Sequence, residues 1–179
     1  MTQIGNTYGQ ALYSLAREEE LSQTILGQIQ ALDESFRQEP AFLRLMAAPN
    51  IGKKERCDVI DECFRDKVHP YVLNFLKILT EKGYARHFSD CCKAYIRQYH
   101  EDNGILPVCA ITAVALTEDQ RNRLAEKLSK ITGKIVELTN RIDPECLGGV
   151  RLDYDGKRVD GTVQSRLDDI RALLKNTVL

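Results

Sequence analysis

The sequence predicts an α+β protein, an N-terminal six-helix bundle followed by a small C-terminal α/β domain, and three observations carry that prediction. Apolar residues recur at helical spacing from Ile4 to Tyr99. Breaking signals at Pro40, Pro49-Asn50, Gly83 and Asn103-Gly104 cut this part into short helices joined by tight turns. A period of two, seen nowhere upstream, sets in after Gly104, where Ile105 to Ala115 is rich in β-branched and small residues. The boundary is therefore expected near Gly104, giving domains 1–104 and 105–179.

The first helix runs from Ile4 to about Glu19, with Tyr8, Ala11, Leu12 and Leu15 at spacings of three and four. Its small residues Gly9 and Ala11 allow another helix to come close. The second aligns Ile25, Ile29, Leu32 and Phe36 and is stopped by Pro40. A short third carries Phe42, Leu43, Leu45 and Met46, and a fourth, after Gly52 and a charged first turn, carries Val59, Ile60, Cys63 and Phe64. The fifth, from His69 to Gly83, organises the bundle. Pro70 fits a first helical turn, where its missing N–H has no partner, and Gly83 supplies a left-handed cap. Val72, Phe75, Leu76 and Leu79 share one face, while Tyr71 and Ile78 flank Asn74 on a second. That apolar arc spans roughly 220 degrees, about twice what a surface helix needs to bury. Such a helix either sits mid-bundle or keeps one face for a partner. The sixth helix runs from about Phe88 to Asp102 with Phe88, Cys92, Tyr95 and Tyr99 in register.

Beyond Gly104, Leu106, Val108, Ala110, Thr112 and Val114 fall on one side of an extended strand. Thr117-Glu118-Asp119-Gln120 is a capping box, and Leu124, Leu128 and Ile131 follow it at helical spacing until Gly133. A second strand spans Lys134 to Ile142 and is broken by Asp143-Pro144. Gly149 to Tyr154 and Lys157 to Asp160 flank Asp155-Gly156, a pair that tolerates the positive φ of a tight hairpin turn. A last helix is expected from about Thr162 to Lys175, with Val163, Leu167, Ile170 and Leu174 in one stripe.

Composition narrows the chemistry. The 179 residues are 43% hydrophobic and 28% charged with a formal net charge of -1, so no field gathers nucleic acid or anionic lipid. No apolar run reaches bilayer-crossing length, and Met1-Thr2-Gln3-Ile4 lacks the regions of a signal peptide. A soluble, intracellular protein with six reduced cysteines is expected. Adjacent Cys91 and Cys92 point about 100 degrees apart on a helix and cannot share a metal unaided. Cys57 and Cys63 have the wrong spacing for a zinc knuckle. His69, His87 and His100 sit at helix ends, and no nucleophile, zinc or phosphate-loop motif surrounds them. Asp153, Asp155, Gly156 and Asp160 place glycine too early for a calcium loop. Leu147-Gly148-Gly149-Val150 enters a strand instead of leaving one for a helix, which excludes a dinucleotide fingerprint and leaves a bulge or close packing. No catalytic residue, cofactor or metal is expected. The rivals are a thiol enzyme using Cys91 or Cys92, and an RNA-binding module built on the α/β domain.

With enzymatic motifs absent, the order of elements resembles that of the delta subunit of the F-type ATP synthase over nearly the whole chain. Tyr8-Gly9-Gln10-Ala11-Leu12 with Ala16 is similar to that family's first helix, and Asn74-Phe75-Leu76 through Leu79 and Gly83 to its fifth. Tyr99 with Ile111 to Thr117 resembles the entry into its second domain. The most specific stretch is Ile142-Asp143-Pro144 through Leu147-Gly148-Gly149-Val150, then Val159-Asp160-Gly161-Thr162-Val163 and Leu167. Gly9 stands where the family usually has alanine, Tyr84 where an arginine commonly follows the glycine, and Thr162 where serine is usual. The resemblance implies a non-catalytic stator component. Residues 1–104 would receive an N-terminal helix of an alpha subunit in a groove between the first and fifth helices, for which Tyr8, Ala11, Tyr71, Asn74 and Ile78 are the candidates. Residues 105–179 would engage the membrane-anchored b subunits of the peripheral stalk, with Asp143, Pro144, Gly148, Gly149, Asp160 and Gly161 as the structural motif of that domain. The chain would then lie at the cytoplasmic face of the cell membrane without inserting into it.

Overall fold

Local signals place the helix ends of the computed structural model, which describes residues 2–48, 50–163 and 165. Helix α1 (Gln3–Glu18) starts at Thr2, whose hydroxyl accepts the Gly5 N–H at 3.2 Å. Helix α2 (Ser22–Gln38) stops before Pro40, which opens α3 (Pro40–Met46) from a position needing no N–H. Helix α4 (Lys53–Phe64) is followed by α5 (Pro70–Glu81), which again begins on proline. Gly83 takes a φ of 75° just beyond α5, so the left-handed turn costs no Cβ clash. A single 3-10 turn at Ala85–His87 leads into α6 (Phe88–Asp102).

The chain divides into two compact units, residues 1–99 and 100–179, and the division falls inside α6, upstream of Gly104. In the first unit, Phe36 of α2 stacks on Phe42 of α3 at 5.2 Å and meets Phe88 of α6 edge-on at 5.1 Å. Ile25, Ile29, Ile60, Val72, Leu79, Cys91 and Tyr95 complete a core buried almost entirely from water. Tyr95, with no exposed surface, still donates its hydroxyl to the Ser22 carbonyl at 2.9 Å, so its burial leaves no unpaired polar group.

Two helices differ from their expected stripes. On α1 the buried residues are Gly5, Gly9, Leu12, Tyr13 and Ala16, while Ala11 and Leu15 face outward. The inward face is small because α6 approaches it closely: a Cβ on Gly9 would lie 2.4 Å from the Cys91 carbonyl oxygen. On α3, Leu45 is exposed and Met46 takes the buried position, since seven residues offer too short a face to bury every apolar side chain.

The second unit holds a four-stranded sheet in the order β2-β1-β3-β4. Strand β1 (Ile105–Thr112) pairs in parallel with β2 (Ile135–Ile142), Ile105 opposite Ile135. The crossover is α7 (Glu118–Thr132), started by the reciprocal Thr117–Gln120 capping box and ended at Gly133 with φ 68°. Strand β3 (Val150–Tyr154) returns antiparallel on β1 and turns through Asp155 (φ 47°) and Gly156 (φ 70°) into β4 (Lys157–Asp160). Leu106, Val108, Ala110 and Thr112 are buried as alternation demands, but Val114 is exposed. The strand ends earlier than expected because the Thr112 hydroxyl donates to the Val114 carbonyl and the Asn140 carboxamide accepts the Leu116 N–H, turning the chain away. On α7, Leu124 and Leu128 are half-buried and Ile131 is exposed. The stripe expected of the last helix at Leu167, Ile170 and Leu174 lies outside the described residues.

Candidate functional site

Helix α5 carries two faces with different surroundings. Val72, Phe75, Leu76 and Leu79 are buried in the bundle core, joined by Leu73 and Thr80. On the opposite side Asn74 is exposed, Tyr71 half-buried, and Ile78 leaves 44% of its surface in water. Helix α1 offers a similar outward strip, with Tyr8 half-buried, Ala11 exposed and Leu15 38% exposed. Tyr84, just past the end of α5, links that end to α1: its N–H bonds the Leu79 carbonyl. Its ring packs edge-on against Tyr8 with centroids 5.8 Å apart.

The structure thus brings Tyr71, Asn74 and Ile78 together on one face of α5, and sets Tyr8 beside the end of that helix. Ala11 and Leu15 extend the α1 strip one and two turns away from Tyr8. Leu15 and Tyr84 belong to this surface but were not among the sequence candidates. Leu15 shares the apolar spacing of α1 with Tyr8 and Ala11, and only the line of small residues at Gly5, Gly9 and Ala16 reveals that α1 faces inward on its other side. At the start of α5, the His69 imidazole Nδ1 accepts the Tyr71 N–H at 3.3 Å and the His69 backbone N–H donates to Gln28 Oε1 at 2.8 Å. These bonds hold the first turn, and with it Tyr71.

In the second unit, Asp143, Pro144, Gly148, Gly149, Asp160 and Gly161 converge. Asp143 Oδ1 accepts the Glu145 N–H at 3.2 Å, fixing the turn that Pro144 opens, and Oδ2 lies 3.6 Å from the Arg151 guanidinium. The Gly148 carbonyl accepts the Val163 N–H, and the Gly161 N–H donates to the Val150 carbonyl, each at 3.0 Å. Gly149, at φ 83°, packs so closely that a Cβ would sit 2.5 Å from the Gly161 carbonyl oxygen. Asp160 Oδ1 accepts from both the N–H and the hydroxyl of Thr162, at 2.9 and 2.7 Å, and these bonds hold its carboxyl below the usual carboxylate range. Thr162 in turn caps the Ser165 N–H at 3.2 Å. The motif is a backbone clamp. Beside it Leu147, at φ 57°, and Val159 and Val163 remain exposed.

The adjacent thiols of α6 do not suit nucleophilic chemistry. Burial pushes the Cys91 thiol up to about 12 and raises that of Cys92 further, the opposite of what a nucleophile needs. Among the described residues no cluster of histidine, cysteine and carboxylate side chains could hold a metal, and no helix is long and apolar enough to cross a membrane.

A family model described as ATP synthase delta (OSCP) subunit matches residues 4–174. The chain belongs to that family. An ATP synthase delta subunit of Alkaliphilus oremlandii is 32% identical over 176 residues, covering 98% of each chain. One from Clostridioides difficile is 28% identical over 98% of this chain and 97% of its own. A chain in the mitochondrial ATP synthase hexamer of Toxoplasma gondii shares the fold, with a TM-score of 0.76 and 16% identity over 97% of this chain and 98% of that one. As a delta-family subunit the protein is a peripheral, structural part of the ATP synthase stator and not a catalytic one.

Proposed function

We propose that the first unit grips the catalytic head of the synthase by taking the amphipathic N-terminal helix of an alpha subunit against the outward strips of α1 and α5. The second unit, in this reading, engages the b subunits of the peripheral stalk at the cytoplasmic face of the cell membrane. The chain then keeps the head from turning with the rotor, so that torque deforms catalytic sites instead of spinning the assembly. The observation that carries the reading is the exposure of Ile78 on a helix whose other side is fully used by the core. A helix laid into such a strip is recognised by apolar anchors one turn apart. Leu15, Ala11, Tyr8, Tyr84, Ile78 and Tyr71 supply them, with Asn74 as a polar contact.

Calorimetric titration of the full chain with a peptide of the alpha-subunit N-terminus tests this. Saturable binding is expected. Ile78→Asp should weaken it by about tenfold or more, since a charge facing an apolar anchor costs on the order of 1.4 kcal/mol or above. The circular dichroism spectrum should stay unchanged because Ile78 is not a core residue. Unchanged affinity in that variant would move the head contact elsewhere on the bundle.

A further inference from the structure

Helix α5 is started by a side chain that changes its charge with pH. The cap on α1 is the Thr2 hydroxyl and that on α7 the Thr117 hydroxyl, both neutral at any pH a cell meets. At α5 the cap is the His69 imidazole, the side-chain type whose ordinary titration falls between about pH 5 and 8. The geometry fixes the protonation state that works. Pro70 has no N–H, so the Tyr71 N–H is the first donor of the helix, and it meets Nδ1 at 3.3 Å. A backbone N–H can only donate, so Nδ1 carries a lone pair and the ring proton sits on Nε2. A second proton removes that lone pair. It also sets a cation at the positive end of the α5 dipole. Against these two losses the charged ring keeps one attraction, its contact with the Tyr71 ring at 5.0 Å between centroids.

The surroundings supply no counter-ion. Among the described residues, the hydrogen-bond partner that α2 brings to His69 is the neutral Gln28 carboxamide, and α5 brings the N–H and ring of Tyr71. Asp66 and Lys67, in the turn before, are exposed, and neither pairs with the ring. Gln28 holds the His69 backbone and not its ring. The backbone therefore stays anchored whichever charge the ring carries, and the titration acts on the Tyr71 bond alone.

We propose that His69 is a proton-operated latch on the first turn of α5. Neutral, it holds Tyr71 in the outward strip; protonated, it releases that turn and weakens the strip's hold on the alpha-subunit helix. The second half of this statement rests on the head contact proposed above, and the first half does not. His69 is thus a positioning residue that acts through Tyr71. Acidification loosens the contact while the bundle stays folded, because Val72, Phe75, Leu76 and Leu79 anchor the rest of α5 in the core.

Two measurements on the full chain separate these halves. Long-range nitrogen–proton NMR of the imidazole at about pH 7.5 should show the proton on Nε2. Protection of the Tyr71 amide, corrected for the intrinsic exchange rate, should fall about fivefold or more on going to about pH 5.5. In His69→Asn, whose carboxamide oxygen caps at either pH, that protection should change by less than about twofold. A ring already protonated on Nδ1 at neutral pH, or an equal loss of protection in parent and His69→Asn, overturns the latch. Calorimetric titration with the alpha-subunit peptide reads the consequence. The parent should bind about threefold more weakly at the lower pH than at the higher. His69→Asn should hold the parent's neutral-pH affinity at both to within about twofold, and His69→Ala should bind like the acidified parent at both. Peptide groups that titrate shift parent and variants alike, so the comparison isolates His69. The same pH dependence of affinity in parent and His69→Asn overturns the link from latch to strip. No binding at either pH overturns the head contact, and the exchange result then still decides the latch.

Discussion

At Gly9 a single hydrogen atom sets how near α1 comes to α6. A Cβ there would meet the Cys91 carbonyl oxygen at 2.4 Å and Ala94 Cβ at 2.8 Å, and no rotamer change can move backbone out of the way. Gly27, in α2, has nothing within 4 Å of the same construction. The pair separates sterics from propensity. Gly27→Ala should stabilise the protein by about 0.5–1 kcal/mol through helix propensity alone. Gly9→Ala should destabilise it by about 1–3 kcal/mol through overpacking, and urea unfolding with tryptophan-free far-ultraviolet detection reads both. Equal stabilisation by the two would show that α1 can step back from α6. The sequence named Gly9 as a place of close approach, because a glycine in a helix interior needs a packing reason. It paired Gly9 with Ala11, which the structure leaves exposed, and passed over Gly5, whose Cβ would lie 2.5 Å from Asp90 Cβ.

Helices α1 and α5 show why one element was legible and the other was not. The core face of α5 is built from Val72, Phe75, Leu76 and Leu79, large side chains whose spacing declares the inward direction. The inward face of α1 is mostly glycine and alanine, so periodicity counted in apolar side chains pointed to the outer strip instead. Strand β1 was legible in its alternation but not in its end, which depends on Asn140 of another strand. What holds α1 in place is also non-local: the Thr2 hydroxyl and N–H donate to Asp90 Oδ2 of α6 at 2.9 and 3.1 Å. Those bonds hold the Asp90 carboxyl below the usual carboxylate range. A carboxylate favoured in the folded state contributes stability above its unfolded pKa and loses it as pH falls through the lowered folded value. Parent and Asp90→Asn should therefore differ in unfolding free energy at neutral pH and converge in acid, below the ordinary carboxylate value of about 4. A constant gap across that range would mean that the ionised carboxylate contributes nothing to holding α1.

At the scale of the whole molecule the sequence announced the order of elements, because most boundaries carry their own proline, glycine or capping residue, the turn from α1 to α2 through Glu20 being an exception. Strand order stayed hidden. Nothing local in Val150–Tyr154 says that it returns to β1 instead of adding beside β2, and only the pairing of Ile111 with Arg151 and Ala110 with Leu152 decides it. Each unit closes on its own contacts. The aromatic and aliphatic core of the first unit is built from residues between Tyr8 and Tyr99, while the β-sheet and the clamp of Gly149 on Gly161 belong to residues 100–179. A chain cut after Gly104 keeps α6 whole and with it every residue of the first core. On the proposed division of labour, that fragment should bind the alpha-subunit peptide within about threefold of the full chain, since a distant deletion leaves the strip's contacts unchanged. It should also fail to stay with stalk b subunits in a pull-down that retains the full chain. Stalk retention by the fragment would place both grips on one unit, and the second unit would then need another role. Loss of peptide binding with the fragment still helical would instead show that residues beyond Gly104 help to shape the head contact.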